Sequence, residues 1–341
     1  MTRPQFVDSP TAAKVKPTAD AVPVAAAQPQ HREHAQYDRL IERCRANPPT
    51  PTVIAHPCDE TSLSGAVEAA EAGVIAPILV GPPDKIHAVA AEAGLDISKL
   101  EIVPAPHSHA AAQTAVELIR AGRGSLLMKG SLHTDELMGA VVRKDTGLRT
   151  ARRVSHVFIM DVPTYPKPLF ITDAAINIAP TLEDKVDIVQ NAVDLARALG
   201  IAEPKVAILS AVETVNPKIP STIDAAALCK MAERGQITGA QLDGPLALDN
   251  AISLEAARIK HIVSPVAGQA DILVVPDLEA GNMLAKNLTF LANADAAGIV
   301  LGARVPIVLT SRADSVTTRM ASCAVAALYA HRIMVAEPVG G

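Results

Sequence analysis

Near the C-terminus an apolar run, Pro306-Ile307-Val308-Leu309, empties into Thr310-Ser311-Arg312-Ala313-Asp314-Ser315 and then into an Ala-rich stretch. That order brings hydroxyls, a guanidinium and a carboxylate to the junction between a strand and a helix. The first N–H groups of a helix and its dipole favour an anion there, and an adjacent Arg adds charge-assisted hydrogen bonds to phosphate. Phosphate or an acyl phosphate is the ligand these residues predict, against the plainer reading of Ser and Asp as helix caps. Four more apolar runs end in polar loops. Residues 125–128 lead into Lys129-Gly130-Ser131-Leu132-His133-Thr134-Asp135-Glu136, and 168–172 into the loop from Asp173 through Asn177 to Pro180. Residues 205–209 lead into Ser210, Glu213 and Asn216, and 271–275 into Pro276-Asp277-Leu278-Glu279-Ala280-Gly281-Asn282. Each could be ordinary turn chemistry, but together they form a set of anion-friendly strand ends.

The elements that position these loops alternate along the chain. Strand candidates are 52–55, 77–80, 100–103, 125–128, 154–160, 168–172, 205–209, 271–275, 298–301, 306–309 and 332–335. Amphipathic, Ala-rich helix candidates at 62–72, 110–121, 182–199 and 280–292 fall between them. Such alternation predicts an α/β fold with a mostly parallel sheet, whose apolar strands are covered by helices on both faces. Ligands in such folds bind beyond the carboxyl ends of strands, where the polar loops fall. Folded structure is expected from about Tyr37, and the Ala-, Pro- and Gln-rich residues 1–36 read as a disordered tail.

Composition narrows the function further. The chain has 341 residues, 49% of them hydrophobic, enough for two cores. A net charge of −5, 2% aromatic residues and no Trp argue against nucleic acid as a partner. No apolar run is long enough to span a bilayer, so no membrane partner is expected. Four scattered cysteines, Cys44, Cys58, Cys229 and Cys323, lack metal or disulfide spacing and fit a reducing, cytoplasmic setting. His107 and His109 read as solvated loop histidines, and no metal site is expected.

Taken in order, Met128-Lys129-Gly130 with His133-Thr134, then 173–180, 210–216, 276–282 and 310–315 resemble the phosphate acetyltransferase and phosphate butyryltransferase (phosphotransacylase) family, from about residue 37 to about 335. The resemblance implies two Rossmann-like three-layer α/β domains with a cleft between them, as in isocitrate and isopropylmalate dehydrogenases. One domain would comprise 37–152 with 300–341, and the other, inserted, 153–299. The implied reaction is reversible transfer of a short acyl group, acetyl or butyryl, between coenzyme A and inorganic phosphate. Acyl-CoA and acyl phosphate are its other substrates, the coenzyme A thioester is a substrate, and no separate cofactor is needed. Carried over residue by residue, Ser311, Arg312 and Asp314 are the catalytic candidates, with Arg312 on phosphate. Lys129, Gly130, His133, Thr134, Asn177, Glu213, Asn216, Gly281, Asn282 and Ser315 are the substrate-binding candidates. A homodimer is expected.

The chain departs from the acetyltransferase branch twice. The carboxylate seven residues beyond the motif Ser is replaced by Thr318, which leaves Asp314 as the nearest acid. An Arg expected after the Lys-Gly loop falls on Met138 or Gly139, and Arg143, Arg149, Arg152 and Arg153 are the candidates to replace it. Two other readings are an NAD-dependent dehydrogenase of the related fold, for which no GxGxxG follows a strand, and a non-catalytic coenzyme A or acyl-phosphate sensor.

Overall fold

The computed structural model describes residues 35–309 and 315–336. Strand and helix alternate from the outset: α1 (Ala35–Arg45), β1 (Thr50–Ala55), α2 (Glu60–Glu71), β2 (Ile75–Gly81), α3 (Pro83–Ala93), β3 (Glu101–Pro104), α4 (Ser108–Arg120), β4 (Leu126–Lys129) and α5 (Thr134–Val141). An antiparallel pair follows, β5 (Ser155–Asp161) and β6 (Leu169–Thr172). The remainder is α6 (Leu182–Ala198), β7 (Lys205–Leu209), α7 (Pro220–Glu233), β8 (Gln241–Leu246), α8 (Leu248–Ile252), α9 (Leu254–Ile259), β9 (Ile272–Val274), α10 (Leu278–Phe290), β10 (Asp295–Leu301), β11 (Ile307–Val308) and α11 (Val316–Ala336).

All the strands join one sheet in the order β3-β2-β1-β4-β11-β10-β5-β6-β9-β7-β8. The pairs from β3 to β11 are parallel, as are those from β6 to β8, but β11–β10, β10–β5 and β5–β6 are antiparallel. Three reversals in succession make the two parallel halves run in opposite directions. The carboxyl ends of β1, β4 and β11 therefore lie at one end of the strands, and those of β6, β7 and β9 at the other.

Successive strand residues feed opposite faces, as the period of two requires. Ile54, Met128, Phe170 and Val274 enter a core shared with α1, α2, α6 and α11, which runs across both halves. On the opposite face Val53, Ala55 and Leu127 join α4 and α5 in one core, and Met160, Ile171 and Leu273 join the α8–α10 region in another. Caps fix the helix starts: Asp59 begins α2, Asp277 begins α10, and Thr181 with Asp184 forms a capping box on α6.

Two sequence expectations change. Residues 332–335 continue α11 instead of forming a strand, because the short apolar run Ile333-Met334-Val335 fits a helix as well as a strand. Gln241–Leu246, not expected as a strand, forms β8 at the sheet edge, where the missing N–H of Pro245 leaves no inner ladder bond unmade. The first described element starts at Ala35, and residues 1–34 of the expected tail lie outside the described residues.

β5 carries a buried histidine, His156, whose ring centroid lies 4.3 Å from that of Phe158. Gly298 on β10 makes room for it, since a Cβ there would stand 2.9 Å from His156 Nε2. Burial pushes the imidazole down to about 4, with the Asp173 carboxylate acting in the opposite sense. Between pH 6.5 and 4 the unfolded chain then holds the extra proton, so this group withdraws stability as pH falls, on the order of 3 kcal/mol over the window. Urea unfolding at stepped pH should show that loss in the native chain and a flatter profile in His156→Gln. Parallel profiles would contradict the assignment.

Candidate active site

At the first end of the sheet, three adjacent parallel strands are each followed closely by a helix. Only residues 56–59 separate β1 from α2, 130–133 separate β4 from α5, and α11 starts at Val316, soon after β11 ends at Val308. Short crossovers of this kind present the free N–H groups of three helix starts along one rim, a setting suited to an anion.

The rim is built around Gly130. Its N–H donates to Ala55 O at 2.9 Å, and the Ser131 N–H donates to His56 O at 2.8 Å, which sews the β4 exit onto the β1 exit. A Cβ at Gly130 would stand 2.5 Å from both Ala55 O and His56 O, so only glycine permits this approach. His56 turns the chain with a φ of 57°, and its Nδ1 lies 3.0 Å from Ser131 Oγ. Ser131 Oγ donates to His56 O at 2.8 Å and accepts from Cys58 N at 3.3 Å. With the hydroxyl proton so used, Nδ1 serves as donor and Nε2 is left as an acceptor. Burial first, then the Lys85 cation, lowers the His56 pKa, so the ring is neutral at pH 7.

Lys129 is half-buried beside these groups, with Nζ donating to Gly130 O at 3.3 Å and Leu132 O at 3.2 Å. His133 and Thr134 are exposed at the start of α5, where His133 occupies the cap position without a side-chain bond. Ser315 begins α11: its Oγ accepts from Thr318 N at 3.1 Å and donates to Thr318 Oγ1 at 3.0 Å. Thr318, standing where the acetyltransferase branch carries an acid, is thus part of a helix cap. One residue on, Arg319 is 9% exposed and donates to Thr61 O on α2 at 3.3 Å. Ser311, Arg312 and Asp314 lie outside the described residues. Their flanks are placed: the chain enters from β11, whose Val308 pairs with Met128, and returns at Ser315.

The remaining candidates fall at the opposite strand end. Asn177 is buried, accepts from Arg153 Nε at 2.8 Å and donates to Val154 O and Asp173 Oδ2 at 3.0 and 2.6 Å. Asp173 also accepts from the N–H groups of His156, Ala175 and Ile176. Gly281 fits beneath this loop, where a Cβ would meet Val275 Cγ2 at 2.7 Å, and Asn282 donates to Ala174 O at 3.3 Å. Asn216 orders the turn before α7 through Thr222 and Lys218. Glu213 Oε2 lies 3.5 Å from Lys260 Nζ and from Asn250 Nδ2. The structure therefore brings Lys129, Gly130, His133, Thr134 and Ser315 to one rim and places Asn177, Glu213, Asn216, Gly281 and Asn282 at the other.

Sequence reasoning passed over His56, Ser131 and Arg319. The available signal was position: His56 directly ends an apolar run, and Arg319 is a cation in the first turn of an otherwise apolar, Ala-rich stretch of helix. Of the replacement arginines, Arg152 is paired with Asp194, Arg153 with Asp184, and Arg149 joins Ala303 in a short backbone bridge. Arg143 is exposed and lines a cavity of about 450 Å³ with His107, His109 and Glu136. His107 caps α4 and His109 lies 3.5 Å from Glu136, so both histidines have local partners. Burial raises all four thiols, Cys44 and Cys58 to about 11 and Cys229 and Cys323 to about 12, which leaves them protonated and poor nucleophiles. Among the described residues no helix is long and apolar enough to cross a membrane.

The family model for phosphate acetyl/butaryl transferase matches residues 106–327. A phosphate acetyltransferase of Rhizobium meliloti is 73% identical over 303 residues, covering 89% of this chain and 96% of that protein. A phosphate butyryltransferase of Clostridium acetobutylicum is 44% identical over 294 residues, covering 86% of this chain and 98% of that protein. The fold superimposes on a branched-chain phosphotransacylase from Enterococcus faecalis V583 with a TM-score of 0.72 and 35% identity, covering 82% of this chain and 99% of that one. Agreement over nearly the whole described fold, with the β4 and β11 exits inside the matched region, leads to one assignment: the chain is an acyltransferase that belongs to the phosphate acetyl/butyryl transferase family.

Proposed function

We propose that this chain moves a short acyl group reversibly between the sulfur of coenzyme A and inorganic phosphate, giving acyl phosphate. The observation that carries the reading is the rim shared by β1, β4 and β11, where three helix starts, Lys129 and neutral His56 gather and from which β11 leads toward residue 310. In the forward direction a phosphate oxygen attacks the thioester carbonyl, the C–S bond breaks, and the coenzyme A thiolate leaves and takes a proton. Arg312 holds the phosphate and offsets the charge that builds on it, Ser311 hydrogen-bonds the reacting groups, and Asp314 handles the proton. Lys129, His133, Thr134 and Ser315 complete the anion-binding rim, and Gly130 lets it close. The residues at the opposite strand end, Asn177, Glu213, Asn216, Gly281 and Asn282, are read as holding the second half together.

Acyl transfer of this kind needs no redox step, so the reading includes no cofactor beyond the coenzyme A thioester as substrate. The reversal of strand direction at β10, β5 and β6, with separate cores on one face, supports two three-layer halves divided at 37–152 with 300–341 and at 153–299. Free, unpaired thiols agree with a cytoplasmic setting. The protein is read as a homodimer.

An activity panel tests the function: acetyl-, propionyl- and butyryl-coenzyme A, each with phosphate and without nicotinamide, followed by loss of the thioester absorbance. Turnover of at least one is expected. Thioester loss in none of the three would remove the reading.

A further inference from the structure

The central strand of the sheet is open on one face. β10 is sixth of eleven in the strand order, and the residues it sends toward α1, α6 and α11, namely Ala297, Ile299 and Leu301, are at most 5% exposed. Those it sends to the other face near its start, Ala296 and Gly298, are only half-buried. Phe158, directly opposite Gly298 on β5, is half-buried too. Strands in the middle of an α/β sheet are ordinarily covered by helices on both faces. Here the cover parts between the two cores of that face. Leu309 packs against the one formed with α4 and α5, and Phe158 and Ala296 pack against the one in the α8–α10 region.

The open strip adjoins the site. Val300 pairs with Ile307 in an antiparallel register, so Gly298 is level with Leu309, from which the chain runs on toward Ser311 and Arg312. Leu309, Gly298 and Phe158 thus stand side by side on successive strands, the first and last about 10 Å apart at the usual strand spacing. Toward the opposite strand end the strip is spanned by the loop after β6, whose Ile176 reaches the α4–α5 core. The result is a short trough that opens at the catalytic rim.

Its floor suits a hydrocarbon chain. The Phe158 ring is held edge-on by His156, with interplanar angle 64°, and burial keeps that imidazole neutral, so no charge lies beneath the floor. Ala296 and Gly298 bring almost no side chain of their own, which leaves the width beside Phe158 unfilled. We propose that Phe158 is the surface on which the acyl chain of the substrate lies, and that Ala296 beside it sets how long a chain the trough admits. The inference rests on the acyl-transfer reading above and names what decides the group transferred. The carbonyl carbon stays at the rim with phosphate and sulfur, and the methylene groups beyond it leave water for the ring. That gain grows with chain length, so acetyl draws least from it.

The test is kcat/KM for acetyl-, propionyl- and butyryl-coenzyme A with phosphate, read as ratios to acetyl within each preparation, so that any loss of folded protein cancels. The native chain should take propionyl as well as acetyl. Phe158→Ala should lower the propionyl-to-acetyl ratio about fourfold, the worth of one methylene taken off an apolar surface, and the butyryl ratio further. Phe158→Leu should fall between. Ala296→Leu fills the trough and should lower the propionyl ratio at least tenfold while acetyl turnover stays close to native. This variant decides the matter by itself should Phe158→Ala fail to fold. Ratios unchanged in the active variants, or a native chain confined to acetyl, overturn the inference and leave acyl transfer standing. A native chain that turns over none of the three overturns both.

Discussion

Arg312→Ala is expected to lower turnover by roughly 100-fold or more, the scale for removing one preorganised group that meets charge developing in the transition state. Arg312 follows the strand that pairs with β4, and Lys129 stands at the end of that neighbour. Its guanidinium offers two parallel N–H donors to two phosphate oxygens, which an ammonium cannot do. Arg312→Lys should therefore recover only part of the loss. Since the contact strengthens as the phosphoryl oxygens gain charge, kcat should fall more than KM rises. Circular dichroism should show both variants folded. Near-normal turnover in a folded Arg312→Ala enzyme would move the reactive centre elsewhere.

Gly130→Ala should damage the same rim from the framework side. The added methyl meets Ala55 O and His56 O at 2.5 Å and His56 C at 2.6 Å, all backbone atoms that no rotamer change can clear. Relief requires the β4 exit to part from the β1 exit, breaking the Gly130–Ala55 and Ser131–His56 bonds and displacing Lys129. The expected cost is about 3 kcal/mol or more, in the range of severe backbone and overpacking changes, with activity lost beyond what the stability loss explains. Gly139→Ala is the matched control. Nothing lies within 4 Å of a Cβ at that position of α5, so alanine there should be neutral or stabilising by up to about 1 kcal/mol. Similar unfolding midpoints for the two variants would show that the close approach at Gly130 is not tight.

Much of this architecture is legible from residue order, and the part that is not has a definite cause. Strands such as Lys205–Leu209 and helices such as Leu182–Ala198 declare themselves through apolar runs and a capping box. β8 is concealed because Gln241, Asp243, Gly244 and Pro245 interrupt its apolar pattern, which an edge strand tolerates. The direction of each half of the sheet is not encoded in apolar runs at all. It follows from antiparallel pairings, of which Asp161 with Asp295 joins distant segments and Met160 with Leu169 closes a short hairpin. Asn177 and Glu213 follow strands that run opposite to β4, so the reversal puts them at the other strand end from Lys129, a placement that apolar runs do not reveal. Lys129, Gly130 and Ser315 were legible because their loops join consecutive elements. His56 and Ser131 become meaningful only once β1 and β4 are neighbours.

The central claim is acyl transfer to phosphate, and the most direct measurement is the product itself. The full chain is incubated with acetyl-coenzyme A and inorganic phosphate, and acyl phosphate is trapped with hydroxylamine while free coenzyme A is titrated in parallel. The account predicts one hydroxamate for each thiol released, a yield that vanishes when phosphate is omitted, and the reverse reaction from acetyl phosphate and coenzyme A. Thiol release that continues without phosphate and gives no hydroxamate would make the protein a thioester hydrolase and contradict the account.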